Sequence, residues 1–329
     1  HYGLMPRGVG DCGLKNDCGP NNVDLHGHFI PWNIWSVFAD QLALEAAEIL
    51  GRTEDLDELR LIYQTARADL LQAIEHGAIH EDAYSWIPGI SGKTCGSRWG
   101  VLNAAFPCRI LPPGHDLITG TIQKIESLMS PGGIPMNTGW MEDGMWVGIT
   151  LDNLAETLLL RNAGDAAADY LYAVLNHGTP LFTWCEERVP EPGTQRFTGD
   201  RQHLWTPLAV VRFIRDAMVM EDGKTLHLAR GLARQWLGSG CAVGVQKMPT
   251  HFGTISWELR YDKATGMVKG SIELPNHVSR LIMHIRLPDG LTIYELIVPS
   301  GGALCYNGTT VEWENPVGAI HFSATTIVS

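Results

Sequence analysis

Glu186 and Glu187 stand side by side between Trp184-Cys185 and Arg188, and Thr198-Gly199-Asp200-Arg201-Gln202-His203-Leu204-Trp205 follows shortly after, just ahead of an apolar helical pattern. An ionised carboxylate can take a proton from water, and a tryptophan offers a flat apolar face to a pyranose ring. Paired carboxylates among aromatic rings therefore suit cleavage of a glycosidic bond. The plainer reading is a solvated, capped loop with one tryptophan buried beneath it, and the rest of the chain has to arbitrate.

The elements that must position these residues can be read from periodicity. Between Pro31 and Leu50, Trp35, Phe38, Leu42, Ala46 and Ile49 recur at three and four residues, the stripe of a helix with one buried face. Gly51 ends it, Thr53 caps a second helix carrying Leu56 to Ile74, and Gly77 stops that one. Further helices are expected over about 116–129, 148–162, 165–177 and 203–220, with a short one near Leu102. Short links alternate with long Gly/Pro-rich connections at 1–30, 77–100, 130–146 and 178–202. Those long connections hold Trp86, Trp99, Trp140, Trp146 and Trp184. In a ring of helical hairpins the long loops gather on one face and build a pocket. After Gly240 the period becomes two, with β-branched and aromatic residues over Val243–Met248, Thr254–Tyr261, Met267–Leu274 and Arg280–Leu287. Turn signals at Pro288-Asp289-Gly290 and Asn307-Gly308 separate the runs. The expectation is a mainly α chain: an (α/α)6 toroid over 1–239 followed by a C-terminal β-sandwich over 240–329 that packs on it.

Composition narrows the function. Acidic residues (36) outnumber basic ones (24) for a formal net charge of −12, with no long run of like charge, which argues against nucleic acid and anionic membrane as partners. No apolar run approaches the ~18 residues of a membrane span, so a soluble chain is expected. The seven cysteines are scattered and odd in number, which favours reduced thiols and a cytoplasmic setting, although no targeting region is visible and the compartment stays open. Cys12, Cys18, His26 and His28 are ligand types for zinc, but their spacing fits no compact zinc motif, and neither metal nor cofactor is expected.

Three segments, in order along the chain, resemble six-hairpin glycosidases. Gly3-Leu4-Met5-Pro6-Arg7-Gly8-Val9-Gly10-Asp11-Cys12-Gly13 and the Pro31-Trp32-Asn33-Ile34-Trp35 helix start are similar to the acid-bearing loop and following helix of cellobiose-phosphorylase-type enzymes. Cys12 and Gly13 replace a Trp-Asn pair there. Asn137-Thr138-Gly139-Trp140-Met141-Glu142-Asp143-Gly144-Met145-Trp146 is similar to a segment of glucoamylase-like enzymes, and Trp184-Cys185-Glu186-Glu187-Arg188 resembles their W-x-E-E-Q segment, with Arg188 in place of the Gln. The resemblance implies Asp11 as general acid and Glu187 as general base, with the choice between Glu186 and Glu187 open because of Arg188. It also implies that about five barrel helices precede this chain, in the same polypeptide or in a partner.

An inverting pair would hold its carboxyls about 6.5–9.5 Å apart, against about 5–5.5 Å for a retaining pair. Candidate substrate contacts are Trp35, Trp140, Glu142, Asp143, Trp146, Trp184, Arg188, Asp200, His203 and Trp205. Each has a structural alternative: Asp11 and Asp143 adjoin glycines and suit turns, Asp200 and His203 suit a helix cap, and the tryptophans suit a core. The expected activity is exo-acting, inverting hydrolysis of an oligo- or polysaccharide. A phosphorylase would instead need a basic phosphate pocket, for which Arg188 and Arg201 are available. A non-catalytic carbohydrate-binding protein is the third reading, and a polysaccharide lyase, which wants a Tyr or His base beside cations, is a weaker fourth.

Overall fold

The computed structural model describes the chain apart from residues 1–2, 7, 10–25, 95–98, 140, 142, 192–194, 200, 276, 300–303, 307 and 329. It divides into two compact units, one of His1–Arg161 with Tyr170–Val210 and one of Asn162–Asp169 with Val211–Ser329.

In the first unit, helices α1 (Ile30–Ile49) and α2 (Leu56–Gly77) run antiparallel, as the contacts of Tyr63 with Gln41 and of Arg60 with Glu48 require. A proline opens α1, where a missing N–H costs nothing. Its buried residues are Ile30, Pro31, Asn33, Ile34, Val37 and Ala47, whereas Trp35, Leu42 and Ile49 of the expected stripe are exposed. The helix is apolar on more than one face, and periodicity alone does not say which face finds a partner. Helix α3 (Asp116–Glu126) starts one residue after His115, whose Nδ1 accepts the Leu117 N–H at 3.1 Å. Helix α4 contains a π-helical stretch, Thr150–Ala155, between α turns at Val147–Ile149 and Glu156–Leu160. Helices α5 (Gly164–Asn176) and α6 (Trp205–Met218) agree with the periodicity to within a few residues.

The expected mainly α chain and (α/α)6 toroid are not what forms. About 36% of the chain is helical and about 26% is strand, a mixed composition. A toroid closes only if each hairpin packs against neighbours on both sides. Here α1 leaves Trp35, Leu42 and Ile49 exposed, and α6 leaves Leu208 and Val211 exposed. The connections between helices carry two-stranded ladders, Ile79–His80 with Ser85–Trp86 and Glu187–Arg188 with Phe197–Thr198, that a helical period cannot announce.

Strand structure in the second unit begins at Val219, before the period-two text. Strands β1 (Val219–Asp222), β2 (Thr225–Leu228), β6 (Arg280–His284), β8 (Leu304–Tyr306) and β9 (Thr310–Glu314) form one five-stranded sheet in the order β8-β9-β6-β2-β1. Strands β3 (Val243–Thr250), β4 (Gly253–Asp262), β5 (Met267–Glu273), β7 (Leu291–Ile297) and β10 (Ala319–Val328) form the other, in the order β7-β10-β5-β4-β3. Alternation decides what faces inward: in β4, Ile255, Trp257, Leu259 and Tyr261 are buried, while Glu258, Arg260 and Asp262 are exposed. Trp313 and Phe322, with ring centroids 5.9 Å apart, belong to the same core. Helix α7 (Arg234–Gly238) adds Leu237 to it.

Strands β2 and β6 pair in parallel, Ile282 opposite His227, so His227 and His284 come onto neighbouring strands. His227 Nδ1 and His284 Nε2 are 3.0 Å apart. Burial, followed by the charge environment of His227, Arg230 and Arg286, pushes the His284 imidazole from 6.5 down to about 3. The folded state keeps His284 neutral while the unfolded chain protonates it below about pH 6.5, so this contribution to stability is present above that pH and is lost as pH falls toward 3. Urea denaturation at pH 6 to 4 is expected to show the parent losing about 1 kcal/mol per pH unit more than His284→Gln, since one pKa unit is worth ~1.4 kcal/mol. Parallel pH profiles for the two proteins would remove the histidine from the acid sensitivity of this unit.

Candidate active site

Glu187 lies in the ladder with Phe197–Thr198, paired with Thr198, and its side chain is fully buried. Met145 and Arg188 exchange backbone hydrogen bonds of 2.6 and 3.2 Å, which seats the Asn137–Trp146 loop against the Glu187 strand. That loop wraps the carboxylate. Glu187 Oε2 accepts the Met141 N–H at 3.0 Å, and a Cβ at Gly139 or Gly144 would lie 2.7 Å from Oε1. The two glycines are thus the reason the backbone can close over a carboxylate.

Glu186 faces differently. Its side chain keeps partial exposure, and its Oε1 is 3.9 Å from His203 Nε2. Gly199, at φ 65°, lies so close that a Cβ would collide with Glu186 Oε2. His203 is fixed by its own N–H, which donates to the Trp184 carbonyl at 2.8 Å. Its ring lies 6.2 Å from that of Trp205 at an interplanar angle of 31°.

Trp205 leads into a closed triangle of indoles. Trp99 and Trp146 have centroids 5.4 Å apart, Trp146 and Trp205 5.4 Å, and Trp99 and Trp205 5.8 Å, all tilted or edge-on. Such geometry matches the ring quadrupoles. Phe29 continues the cluster 6.0 Å from Trp99 and meets the partly exposed Trp32 edge-on at 5.2 Å. Trp99 is pinned from both sides: its N–H donates to the Thr138 carbonyl at 3.0 Å, and the next residue, Gly100, donates to Asn153 Oδ1 of the π stretch at 2.5 Å. A π turn displaces side chains from their helical positions, and here it presents Asn153 to the loop.

The remaining candidates divide. Trp146 and Trp184 are buried, and Trp184 donates its Nε1–H to the Val174 carbonyl at 2.9 Å. Trp35 is exposed and donates to Asn103 Oδ1 at 3.3 Å. Asp143 takes φ 55° and donates its N–H to Asn137 Oδ1 at 2.7 Å, a turn geometry that Asp tolerates. Arg188 donates to the Val189 and Glu191 carbonyls. Asp11, Trp140, Glu142 and Asp200 lie outside the described residues, as do Cys12 and Cys18. Trp99 and Phe29 join the cluster without having been singled out as contacts. Trp99 stood among the loop aromatics, but nothing in its spacing pointed at Trp146 and Trp205.

Arg188 and Arg201 both line a cavity of about 220 Å³ together with Trp184, Cys185, Gln195 and Phe197. The Arg201 guanidinium sits 4.8 Å over the Phe197 ring, and Arg201 donates to Gln195 Oε1 at 3.2 Å. Burial pushes the Cys185 thiol above its ordinary value, which suits a packing residue rather than a nucleophile. Among the described residues no group of three or more His, Cys, Asp or Glu is placed to hold a metal ion, and no helix is long and apolar enough to cross a membrane.

No family model matches the chain, and no curated protein does. Its fold is similar to that of part of a solved glycoside hydrolase. One similar structure is an alpha-L-rhamnosidase from Dictyoglumus thermophilum, with a TM-score of 0.51 and 13% identity, covering 86% of this chain and 30% of that one. A GH51 arabinofuranosidase from Xanthomonas axonopodis pv. citri is matched at a TM-score of 0.18 and 12% identity over 54% of this chain and 47% of that one, too low to carry an argument. At such identities the rhamnosidase likeness is one of fold alone, and this chain spans under a third of that enzyme's length.

Proposed function

We propose that the protein hydrolyses a glycosidic bond, with Glu186 as the general base and Glu187 as the buried carboxylate that holds the Asn137–Trp146 loop in place. The observation that carries this reading is the chain of contacts from Glu186 to His203 to Trp205 and the indole triangle, which sets a partly exposed carboxylate beside an aromatic wall. A general base must reach a water, and Glu186 keeps an exposed edge whereas Glu187 has none. Trp99 Nε1, His203 Nδ1 and Thr206 Oγ1 are buried without a hydrogen-bond partner among the described residues. Buried polar groups are normally paired, and sugar hydroxyls are suitable partners. Asp11 is the proposed general acid on the strength of its loop resemblance, and the missing length relative to the similar enzyme is proposed to be supplied by the same polypeptide or a partner chain.

The test is a screen of aryl glycosides, beginning with the α-L-rhamnoside, and of natural oligosaccharides, with NMR following the anomer first released. Inversion is expected. Absence of turnover with oligosaccharide binding intact would leave a binding protein and sink the enzymatic reading. Gly199→Ala is expected to lower kcat about tenfold or more by displacing the Glu186 carboxylate, with a fold cost of ~1 kcal/mol for a side chain at positive φ. An unchanged kcat in that variant would detach Glu186 from the chemistry. The cavity shared by Arg188 and Arg201 favours one second reading, a glycoside phosphorylase, since guanidinium groups bind phosphate well. Cleavage that requires added inorganic phosphate separates phosphorolysis from hydrolysis.

A further inference from the structure

The histidine pair on β2 and β6 opens on a cavity of about 290 Å³ in the second unit. Its polar lining comes from Asn162, Arg234, Arg286, Thr309 and Thr310 together with the two imidazoles, and among the described residues no carboxylate lines it. The nearby acids sit to the side. Asp165, more than half exposed, accepts from Arg234 Nε and a terminal Arg234 nitrogen at 2.8 and 3.0 Å and also from Arg286, so one screened charge is divided between two guanidinium groups. Asp289, 3.3 Å from Arg234, is almost fully exposed. A third guanidinium, on the buried Arg230, is held by Asn162 Oδ1 at 3.0 Å and by Asp222 at 3.5 Å.

The three guanidinium groups are balanced by Asp165, Asp222 and Asp289, with Asp222 also 4.0 Å from His227 Nε2, but the charged groups that line the cavity itself are those of Arg234 and Arg286. Burial pushes the Arg286 guanidinium below its ordinary range, with Arg234 adding to the effect, and the neighbouring cations help to keep His284 neutral. A guest that meets this lining has to be an acceptor. Arg234 has its fork on Asp165 and its other terminal nitrogen on the Leu287 carbonyl and so acts through its charge. Arg286 gives Nε to the Leu232 carbonyl and one terminal nitrogen to Asp165 and has the other terminal nitrogen for a ligand oxygen. The volume exceeds what one tetrahedral ion needs and falls near the lower end of ordinary ligand sites, ~300 Å³. We propose that this cavity binds a small organic oxyanion, a carboxylate or phosphate ester of up to monosaccharide size, with Arg234 and Arg286 as its charge partners and His284 and Thr310 as hydrogen-bonding neighbours. The lining residues all belong to the second unit.

Titration calorimetry and imidazole NMR of the protein at neutral pH would test this with inorganic phosphate, glucose 6-phosphate, glucuronate and, as the uncharged control, glucose. Saturable binding of at least one charged probe is expected, with shifts at His227 and His284. Arg286→Gln is expected to weaken it at least tenfold, and Thr310→Val, which keeps every ion pair, severalfold. Preference for glucuronate assigns a carboxylate, preference for the sugar phosphate an ester, and equal binding of inorganic phosphate a free oxyanion. Absence of saturation with all three charged probes, glucose binding as tightly as they do, or parental affinity in the Thr310→Val and Arg286→Gln variants would overturn the assignment.

Discussion

Replacing Glu186 by glutamine is expected to lower kcat about 1,000-fold on the best glycoside while changing KM little, because a positioned general base contributes roughly 10²–10⁴-fold. That loss corresponds to ~4 kcal/mol of transition-state stabilisation at 1.36 kcal/mol per tenfold. Glutamine keeps the volume that Gly199 and His203 enclose, so the fold should survive and the acidic limb of the pH–rate profile should vanish. Glu187→Gln is the necessary companion. Its amide oxygen can still accept the Met141 N–H, so the loop stays anchored and a fall of tenfold or less is expected. Steady-state kinetics on both variants decide between the two carboxylates. If Glu187→Gln is the one that abolishes turnover, the base is the buried residue and the Asn137–Trp146 loop has to open for water to reach it.

The second large effect falls on stability. Trp146→Ala is expected to destabilise the protein by about 3–5 kcal/mol, the usual cost of truncating a large buried aromatic. Trp146 is only 2% exposed, meets Trp205 edge-on and lies tilted against Trp99, so its removal leaves a cavity at the indole triangle. For a unit near 200 residues this corresponds to a fall in Tm of roughly 10 °C. Trp205→Ala should behave the other way round: its ring is partly exposed, so the loss of stability is smaller and the rise in KM larger. Thermal melts read beside KM for the two variants would show it. A Trp146→Ala protein that melts with the parent would mean that the triangle is not a packing core.

The helices were largely legible as helices. The three- and four-residue spacing, with Gly51 and Gly77 as stops, placed α1 and α2, and period-two text placed strands β3 to β6. The architecture was not. Trp35, Leu42 and Ile49 looked like an inward stripe because they share a face, but Ile30, Ile34 and Val37 share another, and that is the one that packs. The toroid expectation rested on the helical text together with resemblance over short segments, and the ladders and early strands at Val219–Leu228 are pairings between distant residues that no local period records.

For the site, sequence by itself determined the chemistry on offer: two adjacent carboxylates, a histidine and tryptophans in Gly-rich connections, on a chain with a formal net charge of −12. Only the tertiary structure decided which of these groups are buried and which neighbours they meet. Glu187 enters the two-residue strand with Arg188 and turns inward under Gly139 and Gly144, while Glu186, in the bend just before it, faces His203. The indole triangle drew Trp99, Trp146 and Trp205 from three separate connections, and the basic cavity drew Asn162, Arg234, Arg286 and Thr310 from across the chain. Burial and proximity arise from long-range packing, and residue type and spacing carry no record of them.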